Sequence, residues 1–293
     1  SCFRARGVRV LGIEPARNIA EMARRRGIET VGRFFDRQAG AEIAATYGRA
    51  SAIIGNNVFA HVDDPVGFLA GCADLLTDDG LVFIECPYAL DMLERGEYDT
   101  IYHEHLSYFS VTSLARVAEA AGLSVASVER VPVHGGSIRT AFRKGREHAA
   151  QPMALISEER DAGLTSLERW HTFGQSALQN RSELLELLGG LRAKGATLAG
   201  YGAPANGNTL LNYCGIGTDF IDYTVDRNPY KQGKFTPGMR IPIHAPSRIA
   251  ESRPDYLFIL PWNLLEEIVG QMAFIREWGG RFLVAIPEVR TFA

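Results

Sequence analysis

The chain of 293 residues reads as a two-domain α/β protein with a mostly parallel sheet in each domain. Three observations predict this. Short β-branched runs alternate with helically spaced stretches through the first half, a long helical pattern follows, and the strand–helix alternation then restarts near residue 195. At roughly 150 residues per domain the length fits two domains. A composition of 46% hydrophobic and 22% charged residues supplies a full core.

The first strand is predicted at Val8 to Ile13, ending at Glu14-Pro15, with a helix from Ile19 to Arg26 that Gly27 closes. A second strand at Ala52 to Ile54 opens onto Gly55-Asn56-Asn57, and a helix runs from Pro65 to Leu76 with Phe68, Leu69 and Cys72 on one face. Leu81 to Cys86 is too apolar for a half-exposed strand and predicts a buried one. Thr112 is the expected cap of a helix that Gly122 stops; Leu123 to Val131 and Ser137 to Phe142 then form a hairpin-like antiparallel pair around His134-Gly135-Gly136. Residues 1–148 make the first domain on this reading. Helical spacing of Leu164, Leu167, Trp170, Phe173, Leu178, Leu184 and Leu188 predicts a bridge over 149–194. Residues 195–293 make the second domain: a strand at Thr197 to Gly200, a helix to Tyr213, strands at Phe220 to Val225, Tyr256 to Leu260 and Arg281 to Ala285, and helices from Ala245 and over Leu264 to Trp278.

Composition excludes several classes of function. A formal net charge of -3 gives no basic footprint for nucleic acid. Cys2, Cys72, Cys86 and Cys214 lie far apart with no CxxC pair, so neither a zinc knuckle nor a disulfide framework is expected, and a reducing cytoplasm is the expected location. No apolar run reaches the roughly 18 residues of a membrane span, and no signal peptide opens the chain.

The densest group of proton-handling side chains is Tyr102-His103-Glu104-His105. In an extended segment Tyr102 and Glu104 would face one side, His103 and His105 the other. Histidine titrates near about 6.5, which suits acid–base work at neutral pH. A zinc site and a plain polar loop are the competing readings, although the spacing is not the helical HExxH of a zinc enzyme. Glu14, at a strand's C-terminal end, is placed either to accept ribose hydroxyls of an adenosine-bearing cofactor or to sit solvated at the next helix N-terminus. Asn56 and Asn57 either grip a polar cofactor group or simply start a turn, with His61 just beyond. In the second domain Gly200-Tyr201-Gly202 and Gly207 only loosely match a dinucleotide fingerprint, whose last gap is too long.

The strings GNNVFAHVDDP, FIECPY, YHEHLSYFS, VHGGSIR, LLNYCGI, VDRNPYKQGK, TPGMRIPI and LPWN, in this order from Val8 to the end, resemble the S-adenosylmethionine-dependent sugar C-methyltransferases. The resemblance implies methyl transfer from S-adenosylmethionine to C-3 of a dTDP-linked 4-keto-deoxysugar through an enolate, on a class I methyltransferase-like sheet followed by a second Rossmann-like domain. It implies a base in the YHEH string. His105 is the expected base with His103 in reserve, Glu104 polarises the site, and Tyr102 and His61 hydrogen-bond the 4-oxygen. Glu14, Pro15, Asn56 and Asn57 are then expected at the cofactor, and Arg139, His134, Tyr201, Asn208, Lys231 and Lys234 at the nucleotide sugar, with no metal. A monomer fits this reading.

Two departures accompany the resemblance. The glycine-rich turn and first strand that open the family's sheet, and the cysteine-bound zinc domain before them, do not appear, and Ser1 stands where a Met would start a gene product. A fragment of a longer protein is therefore expected, with a sheet lacking its middle strand. Asn206 replaces the lysine that relatives usually have in GAxxKGN. The alternatives are a nicotinamide-dependent nucleotide-sugar oxidoreductase or epimerase, supported by Asp226 and the glycines, and a non-catalytic nucleotide-sugar-binding homologue.

Overall fold

The computed structural model describes residues 2–293, so Ser1 lies outside the described residues. In chain order the elements are α1 (Cys2–Ala5), β1 (Gly12–Ile13), α2 (Arg17–Arg25), β2 (Thr30–Val31), α3 (Arg37–Tyr47), β3 (Ala50–Asn56), α4 (Pro65–Leu75), β4 (Leu76–Pro87), α5 (Ala89–Arg95), α6 (Val111–Ala120), β5 (Leu123–Val131) and β6 (Ser137–Lys144). Then follow α7 (Ala150–Asp161), α8 (Leu167–Ala193), β7 (Leu198–Tyr201), α9 (Ala205–Cys214), β8 (Tyr223–Val225), β9 (Ile243–His244), α10 (Arg248–Ser252), β10 (Tyr256–Ile259), α11 (Leu265–Gln271), β11 (Arg281–Val284) and β12 (Arg290–Phe292).

Local chemistry explains the boundaries. Asp36 and Asp64 accept the backbone N–H groups of Ala39 and Gly67, capping α3 and α4, and Pro65 opens α4 where no N–H is needed. Ser110, not Thr112, caps α6: Ser110 and Ser113 exchange side-chain and backbone hydrogen bonds in a reciprocal capping box. The predicted helical stretch from 149 to 194 is two helices, parted by Gly163 in the left-handed region. The strand expected over Val8 to Ile13 shortens to Gly12–Ile13, because its partner β2 offers only Thr30 and Val31 for pairing.

Two compact units emerge, and the chain alternates between them. The first comprises the residues up to Cys86, Phe109–Glu129 and Ile138–Ser157; the second comprises Pro87–Tyr108, Arg130–Ser137 and Glu158–Ala293.

In the first unit β1 and β2 form a parallel pair of their own, and a separate four-stranded sheet has the order β3-β4-β6-β5. β3 is the outer strand of that sheet and leaves Ile54 48% exposed. Ala39, Ile43 and Leu75, from α3 and α4, form a buried core against Ile13, Ala50 and Ile53 from both sheets and Leu11 just ahead of β1. The helices approach very closely: a Cβ at Gly40 would fall 2.2 Å from the Gly71 carbonyl oxygen, and one at Gly71 would fall 2.4 Å from that of Asp36. Only glycine permits that crossing.

In the second unit a six-stranded sheet has the order β12-β11-β10-β7-β8-β9, parallel except for β12. β7 is buried along its length. Because β8 and β9 lie on one side of β7 and β10 and β11 on the other, strand order reverses between β7 and β10. Open α/β sheets bind ligands in the crevice at such a reversal.

Candidate functional site

The YHEH segment belongs to the second unit and is not extended. His103 and Glu104 occupy a turn in which the His105 N–H donates to the Tyr102 carbonyl at 3.0 Å. This turn corrects the alternating-face expectation, since it places Tyr102 and His105, three residues apart, on the same side. Their ring centroids lie 4.1 Å apart, and the Tyr102 hydroxyl is 2.8 Å from His105 Nε2. On the far side of the imidazole, Nδ1 is 3.0 Å from the Thr100 carbonyl. A carbonyl can only accept, so Nδ1 bears the proton and Nε2 presents its lone pair. Burial raises the Tyr102 pKa, and the charges of Glu104 and Asp99 add to that effect, so the phenol stays a donor at neutral pH. His103 and Glu104 are exposed, whereas Tyr102 and His105 are half-buried.

Immediately before this turn, Tyr98–Thr100 forms a single 3₁₀ turn that packs on α9. Asp99 within it is fully buried. Its Oδ2 accepts from Asn206 Nδ2 at 3.0 Å and Trp262 Nε1 at 2.8 Å, while Oδ1 is a buried oxygen without a partner. Burial raises Asp99 to about 6, against the pull of the Trp262 and Asn206 hydrogen bonds. Glu97, also buried, has no hydrogen-bond partner at Oε1, which lies 4.0 Å from the Arg95 guanidinium; burial raises it to about 8, with Arg95 opposing and Asp99 and Asp91 adding to the rise. Asp91 is held by Arg130 at 2.6 Å.

These residues fill the crevice at the strand reversal. Trp262 directly follows Pro261 at the end of β10, and Asn206 lies in the first turn of α9, which follows β7. Gly202, with φ at +88°, lies against Pro261, where a Cβ would come within 2.7 Å of the proline ring, and a Cβ at Gly207 would come within 2.8 Å of Leu260. The glycines that resemble a dinucleotide fingerprint therefore serve close packing of β7 and α9 against the end of β10.

The other expected substrate residues of this unit are scattered in role. Tyr201 is 4% exposed in the core, its hydroxyl donating to Gln271. Asn208, in α9, has a buried Oδ1 without a partner. Lys231 donates to the Ala203 carbonyl at 2.9 Å and pairs with Asp226 at 3.2 Å; Asp226 also accepts the Ala203 and Asn228 N–H groups, which explains its place at the end of β8. Lys234 and His134 are exposed, and His134 adopts φ of +55° beside Gly135 at +95°.

In the first unit, Glu14 follows β1 and accepts the Ala16 N–H through Oε1 at 2.8 Å, ahead of α2, with Pro15 exposed beside it. Asn56 ends β3 with an exposed side chain, while Asn57 turns the chain at φ of +54° with its N–H on the Glu85 carbonyl. Both Glu14 and Asn56 thus stand at C-terminal ends of parallel strands, with partly or fully exposed polar groups that fit a ribose-bearing cofactor. His61 is exposed at the end of a 3₁₀ turn. Arg139 is engaged by two carboxylates, Glu85 at 2.8 Å and Glu129 at 3.2 Å, so a pyrophosphate would have to displace them.

Sequence reasoning missed Asp99, Glu97 and Trp262. The signal was a pair of acids two residues apart leading into the YHEH string, and a Trp just after an apolar strand.

Comparison with known proteins bears on the whole chain. A model of the C-methyltransferase C-terminal domain matches residues 132–287, and a methyltransferase domain model matches residues 1–128. The protein is 42% identical over 294 residues to the C-methyltransferase NovU of Streptomyces niveus, a match that covers 99% of this chain and 70% of that protein. Among solved structures, the CcbJ methyltransferase of Streptomyces caelestis has a TM-score of 0.37 at 12% identity, over 48% of this chain and 76% of that one. The 1,6-didemethyltoxoflavin-N1-methyltransferase of Burkholderia thailandensis has a TM-score of 0.35 at 19% identity, over 49% of this chain and 64% of that one.

Proposed function

The chain belongs to the C-methyltransferase family, and from that premise we propose that its acceptor is C-3 of a dTDP-linked 4-keto-deoxysugar and that His105 removes the C-3 proton. It is an S-adenosylmethionine-dependent C-methyltransferase. When bound, S-adenosylmethionine supplies an electrophilic sulfonium methyl group. The observation that carries the reading is the imidazole of His105, pinned at Nδ1 by the Thr100 carbonyl and capped at Nε2 by the Tyr102 hydroxyl.

A C–H bond beside a ketone is acidic enough to break when the 4-oxygen takes up the charge as an enolate. Redirecting the Tyr102 hydrogen bond from Nε2 to the 4-oxygen would do two things at once. It frees the imidazole lone pair for the C-3 proton, and it places a donor where negative charge develops. Glu104 adds negative charge beside this pair and so favours the imidazolium that forms. His105 is favoured over His103 because His103 is exposed. Glu14 and Asn56 are assigned to the cofactor, Glu14 to the ribose hydroxyls.

Solvent exchange at C-3 tests the base apart from methyl transfer. With S-adenosylhomocysteine and a dTDP-4-keto-6-deoxysugar in D2O, the wild type should wash deuterium into C-3, visible by NMR. His105→Ala should slow exchange and turnover at least about a hundredfold while S-adenosylhomocysteine still binds. Unchanged exchange in the variant would remove His105 from the role, and no exchange in the wild type would remove this acceptor.

A further inference from the structure

We propose that Asp99 is a positioning residue for His105: its buried carboxylate, gripped by Asn206 and Trp262 in the crevice between β7 and β10, fixes the turn whose Thr100 carbonyl orients the imidazole. The importance of that orientation for turnover rests on His105 being the base.

The geometry is a continuous linkage. Asn206 and Trp262 lie 107 and 163 residues from Asp99 and converge on the same oxygen. The next residue along is Thr100, whose carbonyl lies 3.0 Å from His105 Nδ1 and also accepts from the Tyr108 hydroxyl at 3.3 Å. The Thr100 hydroxyl donates to the Glu97 carbonyl at 2.8 Å, which closes the turn on itself. A rotation of the turn would move the carbonyl and release the Nδ1 proton, and with it the tautomer that leaves Nε2 as acceptor.

The clamp itself is tightly fitted. The Trp262 ring covers Gly135, where a Cβ would fall 2.3 Å from the ring and 2.9 Å from Glu97 Oε1. The strings VHGGSIR and LPWN thus meet at one point beside Asp99. Burying a carboxylate among neutral partners costs stability. Perturbed acids in such surroundings often mark functional sites. Asp99 also acts through its charge, since it helps to raise the Tyr102 pKa. The groups facing the Tyr102–His105 pair are Glu104, Tyr108 and Asp99; those facing Asp99 are Tyr98, Tyr102, Glu97, Trp262 and Asn206.

The test is an NMR titration of the His105 imidazole in the full chain, identified by its loss in His105→Ala, for the wild type, Asp99→Asn and Trp262→Phe. Removing the Asp99 charge destabilises the imidazolium, so the His105 pKa should fall by roughly half a pH unit. The nitrogen shifts should show loss of the single Nδ1–H tautomer. Turnover should fall about tenfold with KM unchanged, and the acid limb of the kcat profile should move to lower pH. Trp262→Phe keeps the ring but loses the N–H and should shift the tautomer in the same direction by less. If Asp99→Asn lowers only the melting temperature and leaves the His105 titration and tautomer in place, Asp99 is a packing residue and the proposal fails. If the titration moves but His105→Ala retains C-3 exchange, the linkage stands and the base assignment falls.

Discussion

The surroundings of the proposed site residues differ between the two units, although the first unit also buries a paired carboxylate, Glu85 on Arg139. In the second, Asp91, Glu97 and Asp99 are buried, and Asp91 and Asp99 are held by residues far along the chain. In the first, Glu14 bonds a residue two positions away, and Asn56 and His61 face outward. On the roles proposed above, the difference is what the chemistry asks for: a base must keep one tautomer and one orientation, which takes a rigid surround, whereas groups that bind a cofactor need open acceptors.

The largest test of this contrast is Tyr102→Phe, which removes the hydrogen bond to His105 and the donor assigned to the 4-oxygen. Its kcat should fall about a hundredfold in a turnover assay, with S-adenosylhomocysteine affinity unchanged. Next is Gly71→Ala, which wedges α3 from α4 and should destabilise the first unit by about 2 kcal/mol. All three tryptophans, Trp170, Trp262 and Trp278, lie in the second unit. Circular dichroism should therefore report an early transition that tryptophan fluorescence lacks; coincident shifts would mean that the units unfold together. Glu14→Ala should then weaken S-adenosylhomocysteine binding about tenfold by calorimetry, and an unchanged affinity would make Glu14 only a loop acceptor.

The smallest effect is on stability and depends on pH. Burial raises Glu97 to about 8, against about 4.3 for a free glutamate. Because the folded value is the higher one, the protonated carboxyl supports the fold below the unfolded pKa, and that support is lost as pH rises toward 8. Glu97→Gln should remove this decline and raise the melting temperature at pH 8.5 by roughly 3 °C over the wild type, with no gain at pH 4. Parallel pH profiles for the two proteins would contradict the buried, raised carboxyl.

Elements set by local patterning were legible in the sequence. The strand from Leu123 to Val131 matches residue for residue, and the helix opened by Pro65 ends within one residue of expectation. α3 was missed because its apolar face is mostly alanine and glycine, which bury by closeness and not by bulk. The His105 site was legible as a string but not as a shape, since the turn at His103-Glu104 reverses the side assignments of an extended segment. Asp99 was visible only as one of two acids ahead of that string, with nothing to mark its role. Its partners are Asn206 and Trp262, and no local pattern announces a hydrogen bond spanning 163 residues.

The alternating path of the chain has a consequence for how the protein is made. At ribosomal speeds of roughly 5–20 residues per second, the turn containing Asp99 emerges about 8 to 30 s before Trp262, 163 residues later. For that interval a segment bound for a buried socket has no socket to enter. A chimera that exchanged only the C-terminal half with a relative would likewise pair a turn with a crevice that did not match it. A workable graft would have to take residues 87–108 and 130–137 together with 158–293.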